Sequence, residues 1–140
     1  MANAIKWTTP TSRTTGIAAP SLSAGANYLG SAIDNDTNKD RWLHLDIEMT
    51  HGSSPTANTV HEIYLIYAID GTNYEDGGVS VDPSKNPTLL FAVKAQTTTQ
   101  RQSFVNIPIA PFKFKILIKS EVSQTATPTI LAYTSNEEVQ

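Results

Sequence analysis

The sequence predicts an all-β fold, a two-sheet sandwich of about eight strands that is jelly-roll-like or, alternatively, immunoglobulin-like. Apolar and polar residues alternate along most of the chain, as in strands with one face toward a core and the other toward water. Turn-forming residues separate these stretches. No window of about 11 residues holds a helical apolar stripe, because threonine, proline and β-branched residues interrupt each one. Connection lengths do not separate the two kinds of sandwich, so both stay open.

The predicted strands are rich in β-branched and aromatic residues and end at turn-forming ones. In chain order they are Ala4 to Thr8, a weaker candidate at Gly16 to Ala19, Asn27 to Ile33, Arg41 to Met49, His61 to Asp70, Thr88 to Ala95, Arg101 to Ile107, Lys113 to Ser120 and Thr127 to Thr134. The longest turn-rich connections are THGSSPTANT and DGTNYEDGG.

Two segments show the alternation most clearly. In RWLHLDIEM the predicted inward residues are Leu43, Leu45, Ile47 and Met49. In KFKILIKS and the phenylalanine that precedes it, they are Phe112, Phe114, Ile116 and Ile118. The lysines on the other face of KFKILIKS favour an edge strand, because lysine discourages pairing with foreign strands. HEIYLIYAID is apolar on both faces, which predicts a central position or cover by another element.

A chain of 140 residues fits one domain with one core. We expect that domain to span residues 1–140, with residues 1–15 as an extended arm and residues 136–140 as a flexible tail. The segment TPTSRTTG and the terminal NEEVQ carry these two expectations, since neither has the apolar alternation of a core strand.

Composition argues against several classes of partner. The formal net charge of −3 gives no general attraction to phosphate, so nucleic acid is not an expected partner. The absence of cysteine excludes disulfides, thiolate metal sites and a cysteine nucleophile. No apolar run has the length of a signal peptide or a membrane span, so we expect a soluble protein made in the cytoplasm, with no membrane partner.

The segment DNDTNKD raises the question of a metal site. Oxygen-bearing side chains stand at every second position: Asp34, Asp36, Asn38 and Asp40. The match to a calcium loop stops there, because Lys39 replaces the glycine at position six and Leu45 replaces the closing glutamate. Asp34, Asp36 and Asn38 are therefore weak metal candidates, and we predict the tip of a hairpin with no metal.

No pattern in the chain predicts an enzyme or a cofactor. The three histidines, His44, His51 and His61, lack zinc-site spacing and are predicted to lie on the surface or on a sheet face. No G-x-S-x-G elbow and no glycine-rich phosphate loop occurs. Asp46 and Glu48 lie on the same face of one predicted strand. Two neighbouring acids in this arrangement indicate a solvated surface more than an acid/base pair.

Aromatic side chains are the predicted binding residues. Trp42 lies on the polar face of its strand, and Trp7 and Tyr74 are also candidates for exposure. Such rings provide a platform for a sugar or a partner protein, although packing in the core or beneath a loop is the more frequent role of large aromatics.

Two stretches resemble a known group of proteins. IDGTNYEDGG, Ile69 to Gly78, is a strand that ends in a turn. IPIAPFKFKILIKSEVSQTATPTILAYTSNEEV, Ile107 to Val139, is a Pro-Phe-led strand followed by a closing strand and an acidic tail. Together they cover about a third of the chain, and they resemble small all-β virion structural proteins of tailed bacteriophages.

The resemblance implies a non-enzymatic protein of the virion, most simply a head decoration or cement subunit on the outer surface of the particle. Its partners would be the major capsid protein or another virion protein. It would form a homo-oligomer, with a trimer favoured, since such proteins assemble as symmetric oligomers at capsid axes. Head and tail positions both stay open. The alternatives are a carbohydrate-binding sandwich, with Trp42 and Tyr74 as platforms, or a tail-associated host-attachment protein.

Overall fold

The computed structural model describes residues 4–18, 21–56, 59–95 and 98–139, of which residues 14–18 are described by their backbone alone. This part of the chain is almost entirely β, with one helix of four residues, α1 (Asn35–Asn38). Its strands are β1 (Ile5–Trp7), β2 (Thr11–Ala18), β3 (Asn27–Leu29), β4 (Trp42–His51), β5 (Val60–Ala68), β6 (Leu89–Ala92), β7 (Thr99–Pro108), β8 (Lys113–Ser120), β9 (Ala126–Ser135) and β10 (Glu137–Val139).

Eight of these strands form two antiparallel four-stranded sheets. The first sheet has the order β2-β9-β4-β7 and the second has the order β3-β8-β5-β6. From β2 to β9, every connection passes from one sheet to the other except the one between β5 and β6. This is the strand order of a jelly roll. The all-β prediction is confirmed, and the immunoglobulin-like alternative is wrong, because that fold divides its strands differently between the sheets.

The core lies between the two sheets and follows the predicted alternation. Along β4 every second residue is buried, including Leu43, Leu45, Ile47 and Met49. They pack against β5 and β8 residues of the second sheet, among them Ile63, Leu65, Phe114, Ile116 and Ile118. Each of the two sheets thus contributes one face to a single apolar layer.

The second sheet is also covered on its outer face. Tyr64, Ile66 and Leu117 form a separate buried cluster there, and Leu29 and Tyr74 pack against it. Tyr74 belongs to the long connection between β5 and β6, which lies over this face. The prediction for HEIYLIYAID is confirmed, since β5 is a central strand and is covered on both sides.

The edge-strand prediction for the lysines of KFKILIKS is wrong. β8 lies between β3 and β5. Lys119 instead pairs with Asp82 and Glu121, at 3.0 and 3.1 Å, and Lys115 Nζ lies 4.2 Å from the centre of the Tyr74 ring. Alternation reveals which face of a strand meets water, but it does not reveal the place of the strand in the sheet.

The hairpin prediction for DNDTNKD is also wrong, because the segment joins β3 of one sheet to β4 of the other. It forms α1, with Asp34 as N-cap accepting from Thr37 N at 3.1 Å. The buried Asn35 fixes the segment in place: its Nδ2 donates to the carbonyls of Asp40 and Ala110, at 2.9 and 2.8 Å, and its Oδ1 accepts from Asp40 N at 2.9 Å.

The two ends of the described chain pair with each other. β1 and β10 form a two-stranded antiparallel sheet, which we call the terminal ribbon, with Ile5 opposite Val139 and Trp7 opposite Glu137. Residues 4–15, expected as an arm, thus include β1 and the start of β2, which pairs with β9. Residues 136–139 of the expected tail include β10, and residues 1–3 and 140 lie outside the described part.

Candidate binding surface

The structure brings two of the three predicted binding residues together. Trp7 reaches the outer face of the first sheet from β1, and Trp42 is the first residue of β4 on that face. Their ring centroids are 5.6 Å apart, with 45° between the ring planes. This is the range in which aromatic pairs attract each other beyond simple burial. Trp7 stays 51% exposed and Trp42 is partly buried, so Trp7 is the more available ring of the pair.

The terminal ribbon sets the position of this pair. Glu137 lies opposite Trp7 in the ribbon, and its Oε1 accepts a hydrogen bond from Trp42 Nε1 at 3.2 Å. Arg41 Nη1 lies 3.4 Å from the other carboxylate oxygen. Thr8 and Asn136 exchange hydrogen bonds just behind the ribbon, at 2.7 to 3.2 Å. One carboxylate thereby neutralises a neighbouring cation and holds the indole of Trp42 on the same face as Trp7.

His44 extends the surface toward the edge strand β7. Its ring centroid is 6.5 Å from that of Trp7. Opposite His44 the register of β7 shifts by one residue, so Val105 and Asn106 both face it, and Asn106 has φ 57°. This is a β-bulge, with asparagine tolerating the left-handed backbone. The bulge turns Asn106 N–H toward the histidine, whose Nδ1 accepts it at 3.1 Å.

These contacts fix the tautomer of His44. Because Nδ1 accepts a backbone N–H, the ring proton is on Nε2, and it donates to Ser135 Oγ at 2.8 Å. Burial lowers the pKa of His44, which favours this neutral ring. In a Ser–His nucleophilic pair, by contrast, Nε2 must accept the serine proton. Ser135 is 1% exposed. The pair is therefore arranged as a structural hydrogen bond.

Beside His44 lies a shallow cavity of about 350 Å³ with a mostly apolar lining. It is lined by Pro10, His44, Leu45, Asp46, Ser103, Val105 and Tyr133. We call the combined region of Trp7, Trp42, His44, Val105 and Tyr133 the aromatic surface. Val105 is 65% exposed, and Asp46 at the rim is held by a bidentate contact with Arg101, at 2.6 to 3.0 Å. Apolar contact and ring stacking are what this region offers a partner.

Tyr74 is not part of the aromatic surface. It packs on the outer face of the second sheet, against the cluster containing Leu117, with Lys115 over its ring. Sequence reasoning missed Tyr133, although Tyr133 shares the outward phase of β9 with Thr129 and Leu131. It also missed Val105, for which no local signal exists because the bulge determines its exposure.

The three weak metal candidates have other roles in the structure. Asp34 caps α1, and Asn38 donates its amide to the Asp34 carbonyl. Thr37 Oγ1 lies 3.3 Å from the Asp36 carboxylate. Among the residues that the structure describes, no three or more His, Asp or Glu side chains converge as a metal site would require. No described helix has the length and apolar character needed to cross a membrane.

Comparison of the chain with protein-family models, with curated proteins and with solved structures found no significant match.

Proposed function

We propose that this chain is a non-enzymatic virion structural protein of a tailed bacteriophage, a decoration or cement subunit that docks on the outer surface of the particle through its aromatic surface. The jelly roll is used by viral capsid proteins and also by lectins and cupins, so the fold alone does not select a function. The resemblance of Ile69–Gly78 and Ile107–Val139 to phage structural proteins supports the virion assignment.

The observation that carries the proposal is the grouping of exposed apolar side chains around the first sheet. Trp7, Val105 and Tyr133 are exposed there, and the terminal ribbon adds Ile5 and Val139, at 69% and 68% exposure. Contiguous apolar surface of this kind is a feature of protein interfaces, in which large aromatic residues contribute most of the affinity. The surface rests on a sheet whose other face is the core, so it is rigid before binding.

The hydrogen bonding of His44 supports the non-enzymatic part of the proposal. The imidazole of His44, 2.8 Å from the Ser135 hydroxyl, has its proton on the nitrogen facing that hydroxyl, so it is not arranged to act as the base.

Two exposed valines offer a matched test. Val105 lies on the aromatic surface and Val79 lies in the β5–β6 connection, and they are 65% and 68% exposed. Purified wild type, Val105→Lys and Val79→Lys would be sedimented with particles of the phage that encodes the chain. We expect Val105→Lys to lose most of the bound fraction and Val79→Lys to bind like wild type. Equal binding of both variants would refute docking through the aromatic surface, and failure of wild type to cosediment would refute the virion assignment.

Carbohydrate binding, in free or host-attachment form, is the second candidate, and the half-exposed ring of Trp7 beside Trp42 favours it. An indole face stacks on the apolar face of a sugar ring. A glycan array probed with wild type and Trp7→Ala would test this. Selective glycan binding that is lost in Trp7→Ala, together with no particle binding, would replace the first proposal with the second.

A homo-oligomer, with a trimer favoured, belongs to the same proposal. Light scattering after gel filtration should give a mass three times that of the 15.2 kDa chain. A chain that remains monomeric at the concentrations used for particle binding would contradict a preassembled trimer.

A further inference from the structure

Two histidines form a buried pair at the end of the sandwich that is farthest from the aromatic surface. His51 is the last residue of β4 in the first sheet, and His61 is the second residue of β5 in the second sheet. They are 3% and 0% exposed. Their Nε2 atoms are 3.0 Å apart, the ring centroids are 5.3 Å apart and the ring planes differ by 22°, so the rings meet edge to edge. Since β4 begins at Trp42, about 30 Å of strand separates the pair from the tryptophans.

The hydrogen bonds assign the protons in this pair. His51 Nδ1 lies 2.9 Å from the Thr98 carbonyl, which can only accept, so Nδ1 carries the proton. His51 Nε2 is then an acceptor in the neutral ring, and His61 Nε2 donates to it. His61 Nδ1 is left as a buried lone pair that has no hydrogen-bond partner in the described chain. One N–H thus links the two sheets directly.

The surroundings of His61 do not stabilise a positive charge. The His61 ring packs against Phe91, with 5.9 Å between the ring centroids. Ser120 of β8 is the residue opposite His61 in the sheet. The charged residues on the neighbouring strands and connections are all exposed or partly exposed: Glu48, Glu62, Lys94, Arg101, Lys119 and Glu121. Glu62 accepts a hydrogen bond from Tyr64, and Lys119 pairs with Asp82, both on the outer face of the second sheet.

We propose that the His51–His61 pair is a proton-operated latch, which holds the two sheets together at this end near neutral pH and releases them in acid. A proton on His51 Nε2 would place two N–H groups against each other at 3.0 Å, and a proton on His61 Nδ1 would place a cation in a buried site beside Phe91 and Ser120. Either protonation opposes closure of the sandwich at this end. The segments freed would be those next to the latch, residues 52–56 after β4 and the start of β7, where Thr98 bonds both the backbone and the ring of His51.

The titration of His61 agrees with this geometry. Burial, and then the neighbouring His51, lower its pKa from the ordinary 6.5 to about 4. The unfolded chain therefore binds more protons than the folded chain between these two values, so stability is complete above about pH 6.5 and falls as the pH is lowered toward 4. Carboxylates titrate mainly below about pH 5. The window from pH 7.5 to 5 consequently isolates the histidines.

Urea unfolding measured across that window tests the latch. For wild type we expect the unfolding equilibrium constant to rise roughly thirtyfold from pH 7.5 to 5, from the lowered pKa of His61. His61→Phe should abolish most of that rise. The lowered pKa of His44 contributes a smaller part in the same window, so His44→Asn, which changes the histidine outside the pair, should remove that part and keep most of the rise. A wild-type constant that does not change with pH, or a full rise retained in His61→Phe, would overturn the proposal.

Hydrogen exchange measured on the wild type tests the latch without any substitution, so the result does not depend on how well a variant folds. Corrected for intrinsic rates, exchange at pH 5 should accelerate around His51, His61 and Thr98 and stay unchanged around Trp42. Uniform acceleration over both ends of β4, or none at the histidine end, would contradict a local latch.

Discussion

The carboxylate of Asp40 accepts a hydrogen bond from the guanidinium of Arg13, with 2.8 Å between Oδ2 and Nη2. Thr134 joins them, accepting from Arg13 Nε at 2.6 Å and donating to Asp40 Oδ2 at 2.5 Å. These residues come from β2, from the segment before β4 and from β9, so the triad ties the DNDTNKD segment to the first sheet. The Asp40 side chain is 14% exposed, so these donors take the place of most of the water that would solvate an exposed carboxylate.

Asp40→Ala should therefore be costly. The change leaves the Arg13 guanidinium, whose side chain is 22% exposed, without its counter-charge. We expect the free energy of unfolding in urea to fall by about 2 to 3 kcal/mol. The matched control is Asp76→Ala, which removes an exposed carboxylate and should cost less than about 1 kcal/mol. Similar losses in the two variants would show that the triad adds nothing beyond a surface contact.

Asn35→Ala tests what holds the same segment from the inside. The amide is 1% exposed and makes three hydrogen bonds to backbone groups of Asp40 and Ala110. Removing it leaves three partly buried backbone groups without their partners, so a loss of about 2 to 3 kcal/mol is expected in chemical denaturation. Asn38→Ala, at an exposed position of α1, should cost about 0.5 kcal/mol. A mild effect of Asn35→Ala would mean that water replaces the amide.

Calcium should not stabilise the protein. Asp34 is engaged in capping α1 and Asp40 is engaged by Arg13, so binding a cation would require breaking both arrangements. The melting temperature should be the same in millimolar calcium and in a chelator. A calcium-dependent rise of several degrees that disappears in Asp34→Ala would restore the metal-site hypothesis.

Two leucines of the second sheet test whether the β5–β6 connection covers its outer face, one on that face and one on an exposed strand. Leu117 is fully buried in the outer cluster, and Leu90 on β6 is 51% exposed. Leu117→Ala should lower the free energy of unfolding by about 2 to 4 kcal/mol, because it opens a cavity beneath the β5–β6 connection. Leu90→Ala should change it by less than about 1 kcal/mol. Equal effects would mean that the connection does not cover the sheet.

Two adjacent glutamates test how the terminal ribbon holds the tryptophans. Glu137 accepts the Trp42 N–H, and Glu138 faces the other side of the ribbon, opposite Lys6. In Glu137→Ala the indole loses its partner, and we expect red-shifted tryptophan emission and stronger quenching by acrylamide. Glu138→Ala should leave both signals as in wild type. The melting temperature should fall by only a few degrees in either variant, because no ribbon residue belongs to the core. Unchanged emission in Glu137→Ala would show that Trp7 alone positions Trp42.

The sandwich was predictable because the sidedness of a strand is encoded locally. Leu43 to Met49 alternate with polar residues, and this period of two identified the core face of β4 without knowledge of its partners. In the same way, the doubly apolar β5 could be assigned to a covered, central position. The error at β8 has the same origin, since lysines on one face do not indicate which strands lie on either side.

The contacts that define the candidate site could not be predicted, because they join positions that are distant in sequence. Trp42 meets Glu137 only through the pairing of the terminal strands, and Asn106 meets His44 only through a bulge. Asn35, the residue that organises DNDTNKD, falls between the oxygen-bearing positions that suggested a metal site. His51 and His61 are ten residues apart, a spacing without meaning until the two sheets stack.

The pairing of Ile5 with Val139 has a practical consequence for handling the protein. Paired backbones lie about 5 Å apart. A short peptide could therefore join Val139 to Ile5, with new ends opened in the β4–β5 connection to give a circular permutant. Affinity tags or displayed cargo attached next to Ile5 or Val139 would lie close to Trp7 and obstruct it, whereas in the permutant they would be attached at the opposite end of the sandwich.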